Sequence, residues 1–262
     1  ISLGIDRQRF VQNAYRGAAT SASTVVPPGV LGHAANIEPE TTRTPERLAR
    51  AQELIRSQRD ESGTAYGPDN PLPVTFHVMS KVRRYIPDPT NFARELQAQL
   101  ADIFIDVEIV STSWETFLAE TSQGRYSFHV LGWQTDNGDP DNFFDPIFAA
   151  VDRADVDPNG EVERFDWWQS ETGLVPTGLN TAKLVDPALQ AEIERGRVLS
   201  DPQARATIYE RAQIRLRESR AIIPIAHATF LWAVSPRVRG FSVNSMGQLE
   251  LLDVDLTVDA PQ

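Results

Sequence analysis

The chain has 262 residues, a formal net charge of −11 and no cysteine, which leaves no disulfide, thiolate metal site or thiol catalyst and makes phosphate backbones and anionic lipid surfaces poor partners. Apolar residues make up 41% and charged residues 23%, the balance of an ordinary globular protein able to bury a core as one large domain or two small ones. No run reaches the ~18 apolar residues of a membrane span, because the longest candidate, IFIDVEIV, is interrupted by Asp106 and Glu108. A chain that opens at Ile1, with neither an initiator Met nor a charged and apolar leader, reads as a piece of a longer protein.

In chain order, Asp6 is placed to cap a helix bearing Phe10, Val11, Ala14 and Tyr15 on one face and stopping near Gly17. The connector from Ala18 to Thr44 has turn residues, among them Pro27, Pro28 and Gly29, but no period. Thr44 then caps a helix with Pro45 in its first turn and Leu48, Ala51, Leu54 and Ile55 along its apolar side. PVTFHVMS alternates Val74, Phe76 and Val78 inward, a strand pattern. After the Pro87 and Pro89 turn, Phe92, Leu96, Leu100 and Ile103 recur at helical spacing, and IDVEIVS alternates again as a strand. A short helix carrying Trp114, Phe117 and Leu118 leads to YSFHVLGW, read as a third strand. The order β-α-β-α-β implies an α/β fold, a mainly parallel sheet flanked by helices, with its ligand crevice beyond the carboxyl ends of the strands. Asp186-Pro187 and Asp201-Pro202 each start a helix, the second with Ile208, Ala212 and Leu216 on one side, and AIIPIA and FLWAV read as closing strands.

The stretch GWQTDNGDPDNFFD sits directly after the third strand and places Asp136, Asp139, Asp141 and Asp145 beside Trp133, Phe143 and Phe144. Three uses of such aspartates are open from the residues alone. They can cap turn N–H groups, supply the acid and base of a hydrolase, or pair with a ligand's ammonium group in a partly dry pocket. The common phosphate-loop, dinucleotide, nucleophile-elbow and zinc-protease motifs are absent from the sequence. Its four histidines are scattered, and His77 and His129 fall on the polar phase of their strands without a second ligand at metal spacing.

Taken together with GIDRQRFVQNAYRGAA, STVVPPGV, RRYIPDPTNFARELQAQLADI, SDPQARATIYERAQ and AIIPIAH, the run GWQTDNGDPDNFFDPIF resembles the peptide-binding extracytoplasmic solute-binding proteins of ABC transporters, the dipeptide-binding proteins above all. That resemblance implies one lobe of a two-lobed, type II periplasmic-binding-protein fold, without catalysis, that closes on a short peptide and delivers it to a membrane permease. Residues 1–229 would form the second, ligand-clamping lobe with a truncated start. Residues 230–262 would recross to a first lobe that the chain lacks. The resemblance also implies that Asp136 holds the peptide α-ammonium and that Arg83 holds the carboxylate, with the adjacent Arg84 one position away from the same match. Trp133 would wall the pocket. Such a pairing is chemically apt, because an arginine fork suits a carboxylate and an acceptor-only aspartate suits an ammonium. Asp139, Asp141 and Asn142 are expected to hold the loop in shape.

The sequence departs from the family pattern at TTRTPERL and between Ala150 and Pro176. That second segment includes DVDPNGEVERFD, which sets Asp155, Asp157, Asn159, Glu161 and Asp166 at the oxygen positions of a calcium loop and Gly160 at its reversal. Trp167 and Trp168 follow as core residues or as a stacking platform. Apart from that calcium loop, no cofactor is expected. The alternatives to a peptide ligand are a nickel complex or an oligosaccharide on the same fold, or a secreted carboxylate-dependent hydrolase.

Overall fold

The computed structural model describes residues 1–37, 41–152, 173–244 and 247–257. At its centre two eight-residue strands, β2 (Leu72–Met79) and β3 (Ile105–Thr112), run parallel in register from Leu72 beside Ile105 to Met79 beside Thr112. Parallel neighbours require a crossover, supplied by α3 (Pro89–Ala101), whose first turn is capped by the Asp88 side chain accepting from Asn91 N–H. The inward residues Phe76, Val78, Ile105 and Val107 meet Phe92, Leu96, Leu100 and Ile103 of the crossover segment, all nearly without solvent contact. Each such side chain contributes about 1.5–3 kcal/mol on burial.

Helix α1 (Arg7–Asn13) adds Phe10 to this core, with its ring 4.7 Å from that of Phe92, and α4 (Trp114–Ser122) closes the other side with Phe117. The expected caps form: Asp6 accepts from Arg9 N–H and Thr44 from Arg47 N–H at the start of α2 (Pro45–Arg56). Leu48, Ala51 and Ile55 pack inward from α2, but Leu54 is exposed.

A second core lies around α6 (Pro187–Val198) and α7 (Pro202–Ser219), capped by Asp186 and Asp201 as the sequence implies. Leu189, Ile193, Tyr209, Ala212 and Leu216 from these helices enclose Phe143, Phe144 and Phe148, while Val26 enters from the long connector. Phe148 belongs to the single turn α5 (Asp145–Phe148).

Two strand expectations are corrected. The run YSFHVLGW forms a parallel bridge of His77 to His129, with His77 N–H donating to Phe128 O at 2.9 Å, rather than a full strand. The His129 ring meets a local carbonyl, its Nδ1 lying 2.9 Å from Tyr126 O. FLWAV is not a strand either: Leu231 and Val234 are exposed and pair with no neighbour in a sheet. In AIIPIA only the end is extended, where β6 (Ala226–Ala228) runs antiparallel to β1 (Ala19–Ser21). The remaining ladders are short antiparallel pairs, β4 (Ala150–Asp152) with β5 (Leu174–Pro176), β7 (Val238–Arg239) with β10 (Asp255–Leu256), and β8 (Ser242–Val243) with β9 (Leu249–Glu250). His77 lies flat on Tyr126 at 3.7 Å, and His129 meets the edge of Phe117 at 6.0 Å, so both face packed aromatic rings.

Candidate ligand site

Three segments leave the sheet at the same end, because β2, β3 and the His129 bridge are parallel. The first passes from Met79 into a tight reversal in which Arg83 N–H donates to Ile86 O at 3.2 Å and Ile86 N–H donates back to Arg83 O at 3.0 Å. Ile86 is buried and the Tyr15 hydroxyl donates to Tyr85 O at 2.9 Å, so the turn is anchored on both sides. The second runs from β3 to Ser113, whose hydroxyl accepts from Thr116 N–H and starts α4 with Trp114 at its first position. The third runs from His129 through Gly132 to Asp136. These are the strand ends at which parallel α/β folds build their ligand crevices.

Side chains join these segments. The Arg83 guanidinium lies 3.5 Å above the Trp114 ring, a stacked cation held by the ring's negative face. Its Nε is buried without a hydrogen-bond partner, and among the described residues no carboxylate lies within ion-pairing distance of the guanidinium. Tyr85 presses against Gly132 so closely that a methyl group there would sit 2.3 Å from its Cδ2 and 2.5 Å from its Cγ. Gly132 thus lets the Arg83 turn and the aspartate loop abut.

The loop is braced by its own polar groups. Asn142 Oδ1 accepts from Trp133 Nε1 at 3.0 Å and from Asp136 N–H at 3.1 Å. Thr135 Oγ1 accepts from Gly138 N–H at 2.9 Å, where a backbone φ of +71° suits glycine. Asp139 starts a short 3₁₀ turn (Pro140–Phe143) by accepting from Asp141 N–H, and both its oxygens receive the Arg205 fork at 2.8 Å. Asp141 accepts from the Tyr209 hydroxyl at 3.0 Å, and Asp145 from Arg197 at 2.9 Å.

These partners tune the acids in opposite directions. The Arg205 hydrogen bonds hold Asp139 below the usual carboxylate range, whereas burial raises Asp141, although the Tyr209 hydroxyl and the Arg197 charge pull it back. Asp136 stands apart from the other three: it is exposed, and among the described residues its carboxylate has no cation and no hydrogen-bond donor.

Of the residues singled out in the sequence, Trp133 is half-buried on the second core, Asp136 lies in the open part of the loop, and Arg83 sits on the neighbouring turn. Asn142, Asp139 and Asp141 brace the loop as expected. Sequence reasoning placed Trp114 on a short helix and gave it no role under Arg83; its place just after a strand and a serine cap was the available signal. Arg197, Arg205 and Tyr209 gave no local signal, since they meet the loop from more than fifty residues away. Asp155, Asp157, Asn159, Glu161 and Asp166, together with Trp167 and Trp168, lie outside the described residues. Among the described residues no group of three or more potential ligands could hold a metal ion, and no helix is long and apolar enough to cross a membrane.

The family of bacterial extracellular solute-binding proteins, family 5 (middle), matches residues 1–155. A probable di/tripeptide-binding protein 5 of Pseudomonas aeruginosa (strain UCBPP-PA14) is 28% identical over 248 residues, covering 95% of this chain and 40% of the relative. Heme-binding protein A of Haemophilus influenzae (strain ATCC 51907 / DSM 11121 / KW20 / Rd) is 24% identical over 247 residues, covering 94% of this chain and 39% of its own length. Among solved structures, a dipeptide-binding protein of Pseudoalteromonas sp. SM9913 in complex with Met-Leu superposes with a TM-score of 0.71 at 24% identity, covering 98% of this chain and 44% of the other. That likeness shows the fold, an α/β lobe of the periplasmic-binding-protein type. The chain spans about 40% of the length of the curated relatives it matches.

Proposed function

Because the chain belongs to the bacterial extracellular solute-binding proteins of family 5, whose members are solute-binding proteins and not enzymes, we propose that it is the ligand-clamping lobe of a protein that captures short peptides outside the cytoplasm and passes them to an ABC-transporter permease. Asp136 receives the peptide α-ammonium, Arg83 receives the carboxylate, and Trp133 walls the space between. The observation that carries this reading is the division among the four aspartates. Asp139, Asp141 and Asp145 are satisfied by Arg205, Tyr209 and Arg197, while Asp136 keeps a free carboxylate at a parallel-strand end. Arg83 offers the opposite charge on the turn that touches Gly132. An acceptor-only group and a guanidinium fork, neither held in a direct ion pair among the described residues, suit the two ends of a zwitterion.

Residues 1–229 form the lobe itself in this reading, and residues from 230 onward lead to a first lobe that closes over the ligand about a hinge. Their surface supports that course: Leu231, Trp232, Val234, Leu251 and Leu252 are exposed apolar side chains of the kind that a second lobe would cover.

Ligand-observed NMR of the 262-residue chain titrated with Ala-Ala tests the assignment. Asp136→Asn and Arg83→Gln are each expected to weaken binding by about tenfold, the worth of a charge-assisted contact. N-acetylation of the peptide should erase the difference between the wild type and Asp136→Asn, and C-terminal amidation should do the same for Arg83→Gln. Unchanged affinity in both variants sinks the assignment. Hydrolysis of the peptide, abolished in Asp136→Asn, replaces it with an enzyme.

A further inference from the structure

The turn that carries Arg83 holds a second cation that the zwitterion does not need. Arg84 is exposed at the tip of the reversal, and its guanidinium carbon lies 5.8 Å from the Phe230 ring centre and 5.7 Å from that of Trp232. Several other arginines of this acidic chain are matched with acids, among them Arg9 with Glu95, Arg43 with Asp102, Arg125 with Glu120, Arg205 with Asp139, Arg211 with Glu192 and Arg215 with Asp186. Arg84, like Arg83, has no carboxylate partner among the described residues.

Its surroundings lead back to the same crevice. Phe230 lies against Gly247, where a methyl group would approach its ring to 2.8 Å and Gln134 Nε2 to 3.8 Å. Gln134 is the residue after Trp133 and lies two before Asp136. The aromatic segment from Phe230 to Trp232 therefore runs from Arg84 to the aspartate loop. Both rings lie near the outer limit of cation–π attraction, about 6 Å, and among the described residues the guanidinium donates no hydrogen bond. Glu115, at the start of α4, lies in the field of Lys81 and Arg83, so that side of the turn is already partly offset by an acid.

We propose that Arg84 makes this site select peptides with a second carboxylate, an Asp or Glu side chain on the carboxyl-terminal residue. The inference rests on the reading of Arg83 as the carboxylate anchor. A ligand whose terminal carboxylate meets Arg83 presents the side chain of the same residue to the adjoining position of the turn, where a fork beside two rings is free to accept it.

The test compares Ala-Glu with its neutral near-isostere Ala-Gln, and with Ala-Ala, against the 262-residue chain in low salt. The wild type is expected to bind Ala-Glu about threefold to fivefold more tightly than Ala-Gln, the range of a solvent-accessible ion pair. The gap should narrow at about 0.5 M salt, where the screening length falls to a few ångströms. Arg84→Gln removes the preference, so that Ala-Glu and Ala-Gln bind this variant equally. Arg84→Lys keeps the charge and retains much of the preference, which separates loss of charge from disturbance of the aromatic segment. Equal binding of Ala-Glu and Ala-Gln by the wild type, or a preference that survives Arg84→Gln, overturns the proposal while the zwitterion site stands. Failure of all three dipeptides to bind overturns both.

Discussion

Gly132→Ala tests how the site is assembled, because it adds one methyl group at the contact between the two candidate anchors. The added carbon would meet Tyr85 Cδ2 at 2.3 Å, Cγ at 2.5 Å and Cβ at 3.0 Å, all well inside ordinary carbon contact. The ring cannot simply swing away, because the clash reaches its base. Nor can the turn retreat freely, since Tyr15 holds Tyr85 O, Arg83 and Ile86 exchange backbone hydrogen bonds, and Ile86 is buried. Overpacking of this kind costs about 1–3 kcal/mol, which for a chain of this size lowers Tm by roughly 2–4 °C per kcal/mol. Gly178→Ala is the control, because nothing lies within 4 Å of the methyl group it would add, and its effect should stay within about 0.5 kcal/mol. The assay is calorimetric Tm with dipeptide titration in parallel: Gly132→Ala should lower both stability and affinity, since the clash displaces Arg83 from Trp114. In a Tyr85→Ala background most of the stability cost should vanish, a coupling that a double-mutant cycle reads directly. A wild-type Tm in Gly132→Ala, or an undiminished cost without the Tyr85 ring, would refute the argument.

Acid should lower the stability of the protein over two pH intervals. His227 is half-buried with Nε2 itself buried and unpartnered, and desolvation, aided by the His33 charge, lowers its pKa to about 4. The unfolded imidazole, near 6.5, then binds the proton more readily, so its stabilising contribution is complete above about pH 6.5 and declines as pH falls toward about 4, by roughly 2–3 kcal/mol. Asp139, depressed by Arg205, contributes above the unfolded carboxylate value near 3.9 and loses that contribution as pH falls through its lower folded value. Urea unfolding across pH should show His227→Gln flattening the first interval and Asp139→Asn the second; parallel curves for wild type and variants would contradict the assignment. The oxygen pattern of Asp155, Asp157, Asn159, Glu161 and Asp166 leads us to propose a calcium site, for which millimolar calcium raises Tm relative to chelator, and an unchanged Tm removes it.

Local chemistry was legible in the sequence wherever one residue acts on its near neighbours. Asp6, Thr44, Asp186 and Asp201 cap the helices they announce, because a cap needs only an acceptor and an N–H two or three positions on. The crossover helix was legible for the same kind of reason, since Phe92, Leu96 and Leu100 repeat at the spacing that puts them on one face. The third strand was overread because alternation in YSFHVLGW reports burial and not ladder hydrogen bonds. FLWAV was overread for a related reason: apolar content marks a surface that needs covering, and Leu231 and Val234 are exposed.

The division of labour in the aspartate loop was implied by the family resemblance and not by the residue types alone. Four aspartates in one loop look alike in sequence, and the difference among them is made by Arg197, Arg205 and Tyr209, which arrive from helices distant along the chain. Those three contacts also explain why one exposed aspartate could be an effective anchor. A carboxylate on a slack loop would lose conformational entropy on meeting an ammonium, and that loss would be charged against affinity. Here the Arg205 fork fixes Asp139, Tyr209 fixes Asp141, and Asn142 holds Asp136 by its backbone N–H, so the loop is ordered before any ligand arrives. Asp136 can therefore keep its oxygens free while its backbone is held, the combination that a pre-organised contact requires.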